Sequence, residues 1–379
     1  MIRKIYLLLV LILCACTQVP RIYLTSGSYS IKTKINRAIL NSTLSTNMGI
    51  KVKSLETGNT LYEMNASSLF NPASNLKLFT AITALALIDT GFTYKTAVFR
   101  YQNNIYLVGG GDPDLSLKSL DSLAEIVSYD SIIFDSLILD ATKFDSIPWG
   151  KGWMWDEGAG WYAAPISALS LNDNCVDFYI KPGPPGKPAL INYNPETSYI
   201  EILNHSITVM DTIDFQAFEL DRDWKNRTNL FTASGFILSA DTPDTIFRNI
   251  ENPTLFTGTV FKEMLESKGI IINNMALGKK PENGNLIGVH KSESLIISLK
   301  NLMKNSDNLT AEMLVKLIVQ ITSGQQGSTN TGLTVIKKFL EETVGIDTSE
   351  LSIADGSGVS RYNYSSPDQI ITLLTWAYR

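Results

Sequence analysis

Three residues apart in "NPASNLKLFTAITALAL" (71–87), Ser74 and Lys77 set a hydroxyl nucleophile beside an amine that could serve as its base. Asn71-Pro72 reads as a cap and first turn, which puts Ser74 in the opening turn of a helix. Residues three apart share a helix face, so the lysine amine comes within reach of the serine hydroxyl. The helix is apolar nearly all round (Leu76, Leu78, Phe79, Ala81, Ile82, Leu85, Leu87), which runs it through a core and strips Lys77 of water. Desolvation disfavours the ammonium form, leaving a neutral amine able to take the serine proton. The helix start adds backbone N–H groups where an oxyanion could sit. Ser-x-x-Lys is equally the pattern of a helix cap followed by a snorkelling lysine, so alone it decides little.

A second polar cluster, Ser306-Asp307-Asn308, breaks the helical periodicity between "SLIISLKNLMKN" and "LTAEMLVKLIVQITSG". Its plain alternative is an interhelical loop whose side chains cap the next helix. The looser Ser-x-Asn pattern recurs at Ser45, Ser170 and Ser328, so only the full triplet carries information. Other chemistries have little support. The two histidines, His205 and His290, lie far apart without HExxH or paired Cys/His spacing, so no metal site is expected. The triple glycine at 109–111 lacks a following Gly-Lys-Ser/Thr and reads as a turn after a strand rather than a phosphate cradle. A formal charge of -5 without a basic cluster excludes a nucleic-acid footprint.

The segments that would bring these residues together come from both ends of the chain. At 379 residues it is long enough for more than one domain. Arg3 and Lys4 precede an apolar run of about 11 residues, too short to span a bilayer and suited to an export signal. The run ends in Leu13-Cys14-Ala15-Cys16, which resembles a bacterial lipobox; Cys16 would then be the lipid-modified mature N-terminus. A plain secretory signal with incidental cysteines is the alternative. Cys175, left without a partner, reads as a small buried hydrophobe. Residues 17–33 form a polar tether. "INRAILNSTL" predicts a short amphipathic helix, and "MGIKVKSLETGNTLYEMN" a β-hairpin turning at Thr57-Gly58-Asn59. Short β-branched and aromatic runs then fill 96–290, with "PGPPGKP" (182–188) as a surface loop. Helical periodicity returns from about 291, and Ser366, Pro367 and Gln369 form a capping box for a last helix.

Taken together, "NPASNLKLFTAITAL", "IYLVGGGDPDL", "GWYAAPISALSLNDN", "NSDNLTAEML" and "DGSGVSRYNYSSPDQI" resemble, in order, the D-alanyl-D-alanine carboxypeptidase/endopeptidase branch (low-molecular-mass class C) of the serine penicillin-binding proteins. Ser-x-x-Lys and Ser-Asp-Asn belong, with Lys-Thr-Gly, to the motif set of serine penicillin-binding proteins and β-lactamases. The resemblance implies an α/β (α+β) fold. A transpeptidase-like domain (34–95 and 291–379) would be interrupted by a β-rich insertion (96–290), after a signal peptide (1–16) and a tether (17–33). It implies a DD-peptidase acting on peptidoglycan stem peptides outside the cytoplasmic membrane, with β-lactams as covalent inhibitors and no cofactor. Ser74 would be the nucleophile and Lys77 the base. Ser306 would relay a proton to the leaving amine, and Asn308 would hold Lys77 and the substrate amide. Asp156, Glu157 and Tyr162 of "WDEGAGWYAAP" fall where the family reads the stem-peptide side-chain amine; a solvated loop with one core aromatic is the alternative. Arg361 would approach a substrate carboxylate or make a structural salt bridge, and Asp355 with its glycines reads as a turn.

One departure stands out: Lys-Thr-Gly occurs nowhere in the 379 residues, and Lys95-Thr96-Ala97 is misplaced and lacks the glycine. The expectation is a chain cut short of that motif rather than a natural pseudoenzyme. Two rivals remain, a β-lactamase or esterase on the same fold and a non-catalytic wall-binding lipoprotein.

Overall fold

A computed structural model describes residues 29–129, 132–211 and 216–379. The export signal, the lipobox with Cys16 and residues 17–28 of the tether lie outside these residues, whereas 29–33, expected to be irregular tether, are helical and open the helix Tyr29–Asn41. No helix among the described residues is long and apolar enough to cross a membrane.

Contacts divide the described chain into two compact units. One comprises the residues up to Pro72 with Leu340–Ser352 and Tyr364–Arg379. Asn36 Oδ1 on its helix Tyr29–Asn41 accepts from the Tyr62 hydroxyl at 2.8 Å. Strands Ile50–Lys53 and Thr60–Met64 pair antiparallel around Gly58, whose φ of +75° suits the expected hairpin turn. Helix Pro367–Tyr378 opens with the anticipated capping box: Ser366 accepts from the Gln369 N–H, and Gln369 accepts from the Ser366 N–H.

The other unit, Ala73–Phe339 with Ile353–Asn363, holds every candidate site residue outside the lipobox. A five-stranded mixed sheet runs in the order Ile271–Leu277, Ile133–Asp140, Asn104–Val108, Thr93–Tyr101, Asn285–Ser294; its first three strands are parallel and the rest antiparallel. Smaller sheets fill out residues 175–249. The β-rich stretch expected over 96–290 also contains helices. Helices Leu117–Ser128 and Pro253–Ser267 pack on the five-stranded sheet, burying Leu120, Leu123, Phe256 and Phe261 against Val98, Ile105 and Leu137. Each begins at a real cap, with Ser116 accepting from Ser119 N–H and Asn252 accepting from Leu255 N–H ahead of Pro253. At 109–111 only Gly111 has positive φ (+73°). At Gly109 and Gly110 a Cβ would overlap the Ala168 and Lys95 carbonyls, so these two serve close backbone approach instead. Cys175 is buried and free, as expected of a small hydrophobe.

Helices Lys77–Leu87, Leu295–Asn305, Asn308–Ser323 and Thr329–Phe339 form a separate packed group. The third is sheathed by its neighbours, with all residues from Asn308 to Val319 buried.

Candidate active site

Ser74 sits in a 3₁₀ turn, Ala73–Leu76, and the α-helix proper begins at Lys77. The expected cap at Asn71-Pro72 is therefore corrected: the N-cap position falls on Leu76, which offers no side-chain cap. The chain enters the turn through Ala73 at φ +46°, a left-handed conformation costly for a residue with a Cβ. Gly358 packs directly on this turn, where any Cβ would overlap the Ala73 carbonyl. Tight 3₁₀ geometry leaves Ser74 exposed while Lys77, one turn on, is 1% exposed.

The structure brings four of the predicted residues together. Lys77 Nζ lies 3.3 Å from Ser74 Oγ and donates to Asn308 Oδ1 at 2.6 Å and to the Ser357 carbonyl at 2.7 Å. Ser306 Oγ donates to Ser74 Oγ at 2.9 Å. Ser306 reaches this position because it ends helix Leu295–Asn305 in a left-handed conformation (φ +58°), and Asp307 then caps the next helix through Leu309 N–H and Thr310 N–H. The capping role and the site role are thus divided within one triplet. Asn308, 7% exposed, spends its amide N–H on the Tyr162 carbonyl at 2.8 Å, so its orientation toward Lys77 is fixed from both ends.

Burial pushes the Lys77 ammonium below its usual range, and the charges of Glu312, when it is ionised, Asp307 and Asp355 pull part of the way back. Glu312 was not foreseen. It lies one turn beyond Asn308, fully buried, and Oε1 accepts from the N–H groups of Gly356 and Ser357 at 2.8 Å each. Burial, then the Asp355 charge, raise its carboxyl to about 8. The Ser357 peptide is therefore gripped at both ends, its N–H on Glu312 and its C=O on Lys77. Asp355, read from sequence as part of a turn, organises that turn by accepting from Trp153 Nε1, Gly358 N–H, Ser360 N–H and Asn363 Nδ2. The only sequence signal for these roles was the acidic type at two apolar-flanked positions.

The remaining predicted residues are more loosely tied to this cluster. Tyr162 contacts it through its carbonyl, while burial and the neighbouring Glu157 raise its phenol. Asp156 is exposed on the same loop. Arg361 is exposed. Asn249, 1% exposed on strand Asp244–Asn249, holds the loop rigid by donating to the carbonyls of Gly158, Gly160 and Ala163, and Arg222 in turn donates to Asn249 Oδ1. The β-rich stretch therefore positions the loop that positions Asn308. An exposed hydroxyl beside a buried amine and a second hydroxyl can, chemically, support nucleophilic attack with proton transfer to nitrogen.

Residues 31–379 match the model of the D-Ala-D-Ala carboxypeptidase 3 (S13) family, and the chain belongs to that family. It is similar to a D-alanyl-D-alanine carboxypeptidase of Actinomadura sp. (strain R39), 32% identical over 346 residues covering 86% of this chain and 63% of that one. The chain thus spans less than two thirds of that relative's length. It is also similar to the D-alanyl-D-alanine carboxypeptidase DacB of Haemophilus influenzae, 28% identical over 372 residues, 93% of this chain and 76% of the other. The crystal structure of penicillin binding protein 4 (dacB) from Haemophilus influenzae superposes with a TM-score of 0.78 at 25% identity, over 90% of this chain and 78% of that one. The same protein complexed with a β-lactam gives a TM-score of 0.71 at 23% identity, over 90% of this chain and 76% of that one. The fold is accordingly the mixed α+β, transpeptidase-like fold with an insertion.

Proposed function

We propose that the protein is a serine DD-peptidase that cleaves the terminal D-Ala-D-Ala bond of peptidoglycan stem peptides through an acyl-enzyme on Ser74. The observation that carries this reading is the partner set of Lys77. A neutral amine has two N–H donors and one lone pair. Asn308 Oδ1 and the Ser357 carbonyl, at 2.6 and 2.7 Å, take the two donors, and the lone pair is left for the Ser74 hydroxyl at 3.3 Å. Burial favours that uncharged form.

In the proposed reaction Ser74 Oγ attacks the scissile carbonyl carbon while its proton passes to Lys77 Nζ. The C–N bond then breaks as Ser306, bonded to Ser74 at 2.9 Å, passes its proton to the departing amine and takes in return the proton held on Lys77, which leaves the lysine neutral again. Water hydrolyses the resulting ester and restores Ser74 Oγ–H. Asn308 keeps the amine aligned, and Asp156, Glu157, Tyr162 and Arg361 lie on segments bordering the cluster where substrate polar groups would be met. A β-lactam would acylate Ser74 by the same attack, in keeping with the β-lactam complex of the Haemophilus relative.

The test is labelling of the full-length protein, expressed from its own gene, with a fluorescent penicillin. Wild type should carry one label and Ser74→Ala none; a label that survives the substitution rules out this nucleophile. An unlabelled wild type favours the wall-binding alternative. We also propose that Cys16 carries a lipid anchor on an exported protein, so that Cys16→Ala should move the protein from the membrane to the soluble fraction.

A further inference from the structure

Five of the six tryptophans fall between residues 149 and 224, and three of them form a connected, solvent-facing row. The Trp155 and Trp224 rings lie 5.4 Å apart, and Trp155 is 76% exposed. Arg227, whose N–H bonds the Trp224 carbonyl at 3.1 Å, places its guanidinium 5.6 Å from the Trp149 ring centre. Beside Trp149 opens a cavity of about 620 Å³, whose walls include Ser167, Arg227, Glu251, Thr254 and Lys279. An exposed run of large aromatics is unusual on a soluble surface and marks a binding site. The row is also rigid. Gly158 packs against Trp224 so closely that a Cβ would stand 3.1 Å from its indole nitrogen, and the next turn of that loop is pinned by Asn249.

We infer that this row and the adjoining cavity bind the glycan strand of peptidoglycan, a polymer of β-linked N-acetylhexosamines; the inference rests on the peptidase reading above. Flat indoles interrupted by charged and hydroxyl groups suit a pyranose, which has an apolar C–H face and a rim of hydroxyl and amide groups, better than they suit an aliphatic protein surface. The cavity has the size of a small-molecule site. Continuity with the candidate active site also names the occupant. A single loop carries Trp155 and, seven residues on, Tyr162, whose carbonyl holds Asn308. A stem peptide lying at Ser74 is covalently joined to a sugar chain, and Trp155 gives that chain an exposed aromatic face on the same loop.

The test uses β-1,4-linked N-acetylglucosamine tetramer, which has no peptide, titrated into the full-length protein and read by tryptophan fluorescence and calorimetry. Wild type should bind saturably, and Trp155→Ala and Trp149→Ala should each weaken binding by about tenfold, the scale of one lost aromatic contact. Trp155 is exposed enough for the substitution to leave the thermal melting point in place, which serves as the folding control. No saturable binding, or equal binding by wild type and both variants, overturns the inference. So does a wild-type dimer that Trp155→Ala dissociates without any effect of sugar, since the row would then be a protein interface. Binding needs no acylation, so a failed penicillin label would remove the peptidase reading and leave this result standing.

Discussion

Two lysines among the described residues are buried almost completely, and they have opposite surroundings. Lys316, 0% exposed, donates to the Asp145 carboxylate and the Ile147 carbonyl, each at 2.6 Å. Lys77, 1% exposed, touches only the neutral oxygens of Asn308, Ser357 and Ser74. One helix face serves both, because Asn308, Glu312 and Lys316 recur every four residues along Asn308–Ser323. Depth therefore does not decide what a lysine does here; the charge of its first partner does. An ion pair compensates the buried ammonium at Lys316, whereas Lys77 has neutral contacts that are met equally well after it loses its proton.

The largest consequence is a crossed pattern of losses. Lys77→Met should slow acylation by penicillin by about 10²- to 10⁴-fold, the range for removing a positioned base, while costing only about 1–3 kcal/mol for the acceptors left unpaired. Lys316→Met should do the reverse, losing about 3–5 kcal/mol in urea denaturation because a buried ion pair is broken, with the acylation rate per folded molecule unchanged. A Lys316→Met protein that is as stable as wild type yet fails to acylate would erase the distinction.

Asn308→Asp sharpens the contrast by giving Lys77 the kind of partner that Lys316 has. A carboxylate in contact favours the ammonium form and moves an amine by roughly one to three pK units, so the alkaline rise in acylation rate should shift to higher pH. At neutral pH the rate should fall by about tenfold or more and recover as pH is raised. A loss of equal size at every pH would instead place the effect in the Tyr162 contact, which the same substitution removes.

Much of this site was legible because it is written in short-range patterns. Ser74 and Lys77 are a turn apart, Ser306, Asp307 and Asn308 are contiguous, and the hairpin at Gly58 and the Ser366 cap follow local rules. What escaped was non-local. Glu312 matters because residues 356 and 357 fold back onto it, and Asn249 because it gathers three carbonyls about ninety residues distant. Two helices in the β-rich stretch were also passed over although their caps, Ser116 and Asn252-Pro253, are visible in sequence; their short apolar runs lie beside strands that bury similar residues. Conversely, Asn71-Pro72 looks like the same Asn-Pro cap, but tertiary packing of Gly358 on Ala73 favours a 3₁₀ turn there.

The smallest expected effect belongs to Glu312, which lies between Asn308 and Lys316 on that helix face. Its carboxyl, raised to about 8 against an ordinary 4.5, still holds its proton at neutral pH. Glu312→Gln should therefore change acylation little near pH 7. Above about 8 the wild-type carboxylate appears and holds Lys77 in its charged form, delaying the alkaline rise, so the variant should complete that rise at lower pH. Stability supplies a second readout with a definite sign. The folded protein binds more protons at Glu312 than the unfolded chain between about pH 4.5 and 8, so the residue's contribution is fully present below 4.5 and lost as pH rises through about 8. Wild type should lose stability across that window relative to Glu312→Gln, whatever fixed penalty the buried amide adds. Superimposable acylation profiles together with parallel stability curves would show that Glu312 only anchors the Ser357 peptide, leaving the charge of Lys77 to burial and Asn308 alone.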